Sequence, residues 1–103
     1  MADYYLVRLA RGRAWDHSRR RREQAGWAAH AAFMDSLVAE GVVILGGPVG
    51  EGDGEDSLLV VNLENEELVR GCLAEDPWVD DLLVVKSIEA WSVWLRSASG
   101  PAQ

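Results

Sequence analysis

Residues Trp27 to Val49 read WAAHAAFMDSLVAEGVVILGGPV, which takes the chain from an amphipathic helix through a turn into a strand and out into a glycine-rich loop. Counting by threes and fours, Trp27, His30, Met34 and Leu37 fall on one side of the helix, with Phe33 and Val38 beside them. Such a face packs on a sheet. Gly41 stands where a left-handed residue ends a helix at least cost. VVIL (Val42 to Leu45) is then a buried strand, closed by Gly46-Gly47-Pro48.

Upstream, Tyr4 to Leu9 (YYLVRL) is rich in strand formers and stops at Arg11-Gly12. Arg11 to Ala25 is polar and charged, a loop leading into the solvated start of the helix. Downstream, the acidic Gly50 to Asp56 connection carries Asp53-Gly54, a pair suited to a hairpin turn, so the second and third strands are antiparallel neighbours. Ser57 to Leu63 is the third strand. Asn65 caps a short helix that starts with Glu66 and Glu67 and buries Leu68, Val69, Cys72 and Leu73. Asp76-Pro77 stops it, because the residue before proline avoids helical angles. Leu82 to Leu95 holds a fourth, bent strand with Trp91 and Trp94 near its end. The order βαββαβ predicts an α+β protein, ferredoxin-like, with an antiparallel sheet. Residues 1–96 are expected to form a single domain and 97–103 a flexible tail.

VVIL, Leu58 to Val61 (LLVV) and Leu82 to Val85 (LLVV) are continuous apolar runs rather than alternating ones. Continuous runs suit strands buried on both faces. Two helices cover only one face of a four-stranded sheet, so the sequence predicts that a second copy covers the other, giving a homodimer through the sheet face.

The chain has 103 residues, 49% of them hydrophobic and five of them tryptophan, which suits one domain with one modest core. A net charge of −7 argues against a nucleic-acid or anionic-membrane surface; Arg19 to Arg22 is the one basic run. No apolar run approaches a bilayer span, and Met1 is not followed by a signal pattern, so a cytoplasmic protein is expected. A single cysteine, Cys72, excludes an internal disulfide. Two distant histidines with no third ligand evident give no metal site, and no cofactor motif is present.

His30 is the leading candidate for chemistry, since a histidine on an apolar face is either satisfied by a partner or placed to move a proton. Asp76 follows the second helix, on the same side of the sheet, and can reach it. It can equally cap the turn at Pro77-Trp78, and two oxygens let a carboxylate do both. If the side chains meet, the carboxylate orients the imidazole. Gly46-Gly47 can offer backbone N–H groups to a ligand oxygen, or simply end a strand. Cys72 reads as packing, and the Gly50 to Asp56 carboxylates as a solvated turn.

His30-x-x-Phe33-Met34-x-x-Leu37-x-x-x-Gly41, then Gly46-Gly47-Pro48, Asp76-Pro77-Trp78 and Trp91, together resemble the YciI-like (YCII-related) family over Tyr4 to Leu95. The resemblance implies a dimeric α+β barrel, paired through its sheets, and an acid–base dyad falling on His30 and Asp76. At Trp27 the chain departs from the arginine that members often carry three residues before the histidine. Two functions are expected to compete. One is a cofactor-free enzyme of lyase or isomerase type, acting on a small aromatic or lactone-like molecule walled by Trp27, Phe33, Gly47, Pro48 and Trp78. The other is a non-catalytic dimeric ligand-binding or accessory protein in which His30 and Asp76 are a structural polar pair.

Overall fold

In the computed structural model, which describes residues 2–52 and 54–97, the elements run β1 (Tyr4–Arg11), α1 (Trp27–Ala39), β2 (Val43–Pro48), β3 (Ser57–Val61), α2 (Glu66–Leu73) and β4 (Leu83–Trp91). A 3-10 turn at Arg21–Glu23 precedes α1. The strands form one sheet in the order β2-β3-β1-β4, and every neighbouring pair is antiparallel. Each helix carries the chain over one intervening strand, which is the ferredoxin-like α+β arrangement expected from the element order.

The helices begin and end where local chemistry dictates. Gly41 turns α1 off with φ 76, and the bonds Gly41 N–H to Val38 O (3.0 Å) and Val42 N–H to Leu37 O (2.9 Å) satisfy its last carbonyls. Asn65 accepts a bond from the Leu68 N–H at 2.9 Å, and Glu66 and Glu67 lie at the positive end of α2. Leu37 of α1 and Val69 and Leu73 of α2 share one core with Val7, Leu9, Val43, Leu59, Val61 and Leu83, so both helices cover the same sheet face.

Several expectations are corrected. Gly46-Gly47-Pro48 is not a loop but the end of β2, opposite Leu59, Leu58 and Ser57. An edge strand tolerates proline because one of its sides needs no partner. Gly46 fits because a Cβ there would lie 2.6 Å from Leu59 Cδ2 and 3.0 Å from the Leu58 carbonyl. Val38 and Leu68 are 56% and 48% exposed, because each sits one step of the helical spiral away from the buried positions Leu37 and Val69. β4 stops at Trp91, and its bend is a register shift opposite Arg8 and Leu9. Asp53 of the expected hairpin turn, and residues 98–103 of the expected tail, lie outside the described residues.

Within one chain the helices cover one side of the sheet. By alternation Leu6, Leu58 and Val60 point away from the helices; Val60 is buried all the same, Leu6 and Leu58 are half-buried, and Leu45 and Trp91 are exposed. Beyond β4, Trp94 and Leu95 are 90% and 92% exposed. Among the described residues no helix is long and apolar enough to cross a membrane.

Candidate functional site

His30 lies in the first turns of α1, 7% exposed, and its Nδ1 is 2.8 Å and 3.0 Å from the two carboxylate oxygens of Asp76, itself 6% exposed. Asp76 reaches it because α2 ends just before Asp76 and the chain turns at Pro77. That turn is held by the same carboxylate: Oδ1 also accepts the Trp78 N–H at 3.0 Å. An ionised carboxylate only accepts, so the imidazole tautomer that fits carries its proton on Nδ1 and donates it to Asp76. Nε2, the other ring nitrogen, has no hydrogen-bond partner among the described residues.

The imidazole is also fixed from its face. It stacks on the Trp78 ring at 4.1 Å with an interplanar angle of 7°. Trp78 is fully buried, donates its indole N–H to the Ala25 carbonyl at 2.8 Å, and meets Trp15 edge-on at 5.9 Å and Trp27 at 5.7 Å. One tryptophan therefore supports the histidine and ties the segment before α1 to the turn after α2.

The segment before α1 is the charged loop that its sequence marks, with one 3-10 turn and an internal set of hydrogen bonds. Buried Gln24 accepts the Asp16 N–H at 3.0 Å and donates to the carbonyls of Asp16 (2.8 Å) and Arg19 (3.0 Å). Ser18 donates two bonds to the Asp16 carboxylate, which hold that acid below the usual carboxylate range. Trp15 inserts into the core, with the guanidinium groups of Arg11 and Arg21 over its ring at 4.9 Å and 5.1 Å.

A cavity of about 380 Å³ opens between α1 and the sheet. Trp27, His30, Met34, Asp35 and Val38 line it from the helix, Leu9, Ser57, Leu59 and Leu83 from the strands, and Arg21 at the rim. Gly46, Gly47 and Pro48 complete it.

Of the expected site residues, the structure thus places His30, Trp27, Gly47 and Pro48 on the cavity. It places Asp76 and Trp78 behind His30, bonded to it and stacked on it but not lining the space. Phe33 is not on the cavity wall and packs against the core, because it is one position from Met34 and points to another side of the helix. Since Gly46 and Gly47 lie in a paired strand, alternation directs only one of their two N–H groups away from β3, not both.

Three polar cavity residues, Arg21, Asp35 and Ser57, escape sequence reasoning. Arg21 reads as part of a solvated basic run, and only the fold of Trp15 and Gln24 brings it to the rim. Ser57 leaves a faint signal as the one polar side chain among the helix-facing positions Ser57, Leu59 and Val61 of β3. Cys72 is off the cavity, and burial pushes its thiol above the ordinary value. His17 is exposed in the charged segment. Among the described residues no three His, Cys, Asp or Glu side chains gather to hold a metal ion.

Compared with known proteins, the chain matches the family profile of the YCII-related domain over residues 6–92. No curated protein and no solved structure matches it.

Proposed function

The chain belongs to the YCII-related family, and from that premise and the geometry above we propose that it is a small enzyme using His30 as general acid–base, oriented by Asp76. The observation that carries the reading is the division of the imidazole. Nδ1 is engaged by a buried carboxylate, while the residue itself lines a cavity of about 380 Å³. Nε2 is then the nitrogen that takes a proton from a bound molecule, with Nδ1–H kept on Asp76 and the imidazolium returning the proton afterwards. Returned to another carbon, the proton completes an isomerisation; expelled with a leaving group, it completes an elimination. Proton transfer of this kind needs only the ring, so the enzyme is proposed to work without a cofactor. The apolar wall of Trp27, Met34, Val38 and Leu59 suits a small, partly aromatic or lactone-like substrate.

A test can begin before the substrate is identified. Small lactones and ring-bearing acids are screened for stabilisation of the protein, and binders are incubated in heavy water to detect deuterium at carbon. His30→Ala is expected to lower exchange about a hundredfold or more. Equal exchange by both proteins would remove His30 from the chemistry.

A second reading is supported by the double use of Asp76, whose Oδ1 serves both His30 and the Trp78 amide inside the protein. In that reading the pair is structural, and the protein a non-catalytic ligand-binding or accessory module. Thermal melts of His30→Gln separate the two. A loss of about 3 kcal/mol or more, the cost of stranding a buried charge, supports the structural pair. A loss near 1 kcal/mol or less supports a site kept for function. In either reading we propose that the sheet face away from the helices pairs with a second copy of the chain, because half-buried Leu6 and Leu58 and exposed Leu45 and Trp91 lie on it with no helix over them.

A further inference from the structure

One buried polar group on the cavity has no part in the acid–base scheme. Ser57, at the start of β3, is 8% exposed and faces the helices with Leu59 and Val61. Its neighbours across the sheet are Leu9 and Pro48, whose side chains offer no hydrogen bond, and its hydroxyl has no partner among the described residues. Ser57 lines the cavity of about 380 Å³, so that hydroxyl is open to whatever the cavity holds. A hydroxyl buried without a bond costs free energy, and leucine or valine at the same place would bury hydrocarbon instead. The cost is relieved when a molecule in the cavity accepts its proton.

His30 faces the same space from the helix side. The two unpartnered atoms differ in kind. With Nδ1–H given to Asp76, Nε2 only accepts, whereas a serine hydroxyl can turn its proton to an acceptor. Of the other polar side chains on the cavity, Asp35 is exposed and Arg21 packs over Trp15 at the rim, which leaves Ser57 as the buried group with a proton to share. Asp76 sets a negative charge just behind the imidazole, so an anion beside Nε2 would be repelled and an uncharged molecule is favoured.

A proton on carbon comes within reach of an imidazole only beside a group that takes up the electron pair, and a carbonyl is the commonest such group. Its oxygen then becomes anionic, and in a water-poor cavity it needs a donor placed beforehand. We propose that Ser57 is that donor, and that the cavity takes a small uncharged carbonyl compound with hydrogen on the adjacent carbon. As Nε2 takes the proton, the C–H pair forms a carbon–carbon π bond and the carbonyl π pair moves onto oxygen. The hydrogen bond from Oγ–H tightens without giving up its proton, and the imidazolium then returns a proton to carbon. The proposal names the substrate class of the acid–base reading; it rests on that reading for the proton transfer but not for binding.

The experiment probes the full-length protein with 2-indanone, a ring ketone, and with indane, the same ring without the oxygen. Binding is followed by NMR of the indole N–H groups, and chemistry by deuterium entering the carbons beside the carbonyl in heavy water. Ser57→Ala is expected to weaken 2-indanone roughly fivefold, to leave indane unchanged and to slow exchange on the bound ketone about a hundredfold. The rate falls further than the affinity because the bond strengthens as charge develops on oxygen. The variant is expected to melt no lower than wild type, since it loses a hydroxyl that has no bond in the free protein; a structural serine would lower the melt. Ser57→Thr keeps a hydroxyl and is expected to restore most of both affinity and rate. No binding of 2-indanone, or affinity and exchange unchanged in Ser57→Ala, overturns the proposal. Exchange lost in His30→Ala but kept in Ser57→Ala refutes the carbonyl donor and leaves the base standing. Ketone affinity that depends on Ser57, with no exchange by the wild-type protein, keeps the carbonyl site and removes the base.

Discussion

Asp76 answers to two groups at once, and its replacements should sort its duties. Asp76→Ala removes the acceptor of the His30 Nδ1–H and of the Trp78 N–H, leaving two buried donors without partners. A loss of about 3–5 kcal/mol in urea unfolding is expected. Asp76→Asn keeps an oxygen for the Trp78 amide and should cost less than half as much, while still impairing any reaction that needs the carboxylate. Equal losses in the two variants would show that the charge, not the turn, is what matters for stability. Cys72 is the contrasting case. With its thiol pushed up by burial and by the nearby Glu40 and Glu75 carboxylates, little thiolate exists at neutral pH, and alkylation by iodoacetamide should be slower than for a free thiol. The pairing of His30 with Asp76 is legible in the sequence because one polar ring interrupts an apolar stripe and one acid precedes a proline on the same side of the sheet. The stacking of His30 on Trp78 is not, since nothing in a linear sequence sets the angle between two rings.

At the level of elements, the wall of the cavity depends on glycines in an edge strand. Gly46→Ala drives a Cβ against Leu59 Cδ2 and the Leu58 carbonyl, so strand pairing must shift, and a loss of about 1–3 kcal/mol is expected from thermal melts. Gly47→Ala meets nothing within 4 Å, because its Cβ projects with Leu58 to the face away from the helices, and should leave the melt within about 0.5–1 kcal/mol of wild type. If Gly47→Ala proves the more destabilising of the two, the register of β2 against β3 is wrong. The helices and most strands are legible from apolar spacing, a capping asparagine and a terminating glycine. The extension of β2 through Gly46-Gly47-Pro48 is not, because glycine and proline signal a loop unless the strand is known to lie at an edge. The charged segment before α1 is a loop as read, but its internal order is not legible: its organiser is a glutamine amide bonding to backbone groups five to eight residues away, and such bonds leave no periodic trace.

Across the whole molecule, charge and apolar area on the open sheet face act together. Asp56 accepts from Arg8 of β1 at 3.0 Å and from Lys86 of β4 at 3.4 Å, and the Arg8 bond above all holds its carboxyl below the usual 3.8. A depressed folded-state pKa gives stability that is present above pH 3.8 and fades as pH falls through the lower folded value. The melting-temperature difference between wild type and Asp56→Asn should therefore be constant above pH 5 or so and shrink steadily in more acid solution. The apolar part of this face carries the last prediction. Half-buried Leu6 and Leu58 and exposed Leu45 lie on strands with no helix above them, and Trp91, Trp94 and Leu95 extend the exposed apolar surface past the end of β4. Exposed hydrocarbon is costly at about 25 cal/mol per Å², and the proposed second copy would present the same surface in return. Light scattering at micromolar concentration is expected to give twice the chain mass of 11.3 kDa. Leu45→Glu, which sets a charge on the edge strand of that face, should return the chain to its single mass without unfolding it, since Leu45 is exposed in the isolated fold. A wild-type protein that scatters as a monodisperse monomer under those conditions would leave the apolar face to a different kind of partner.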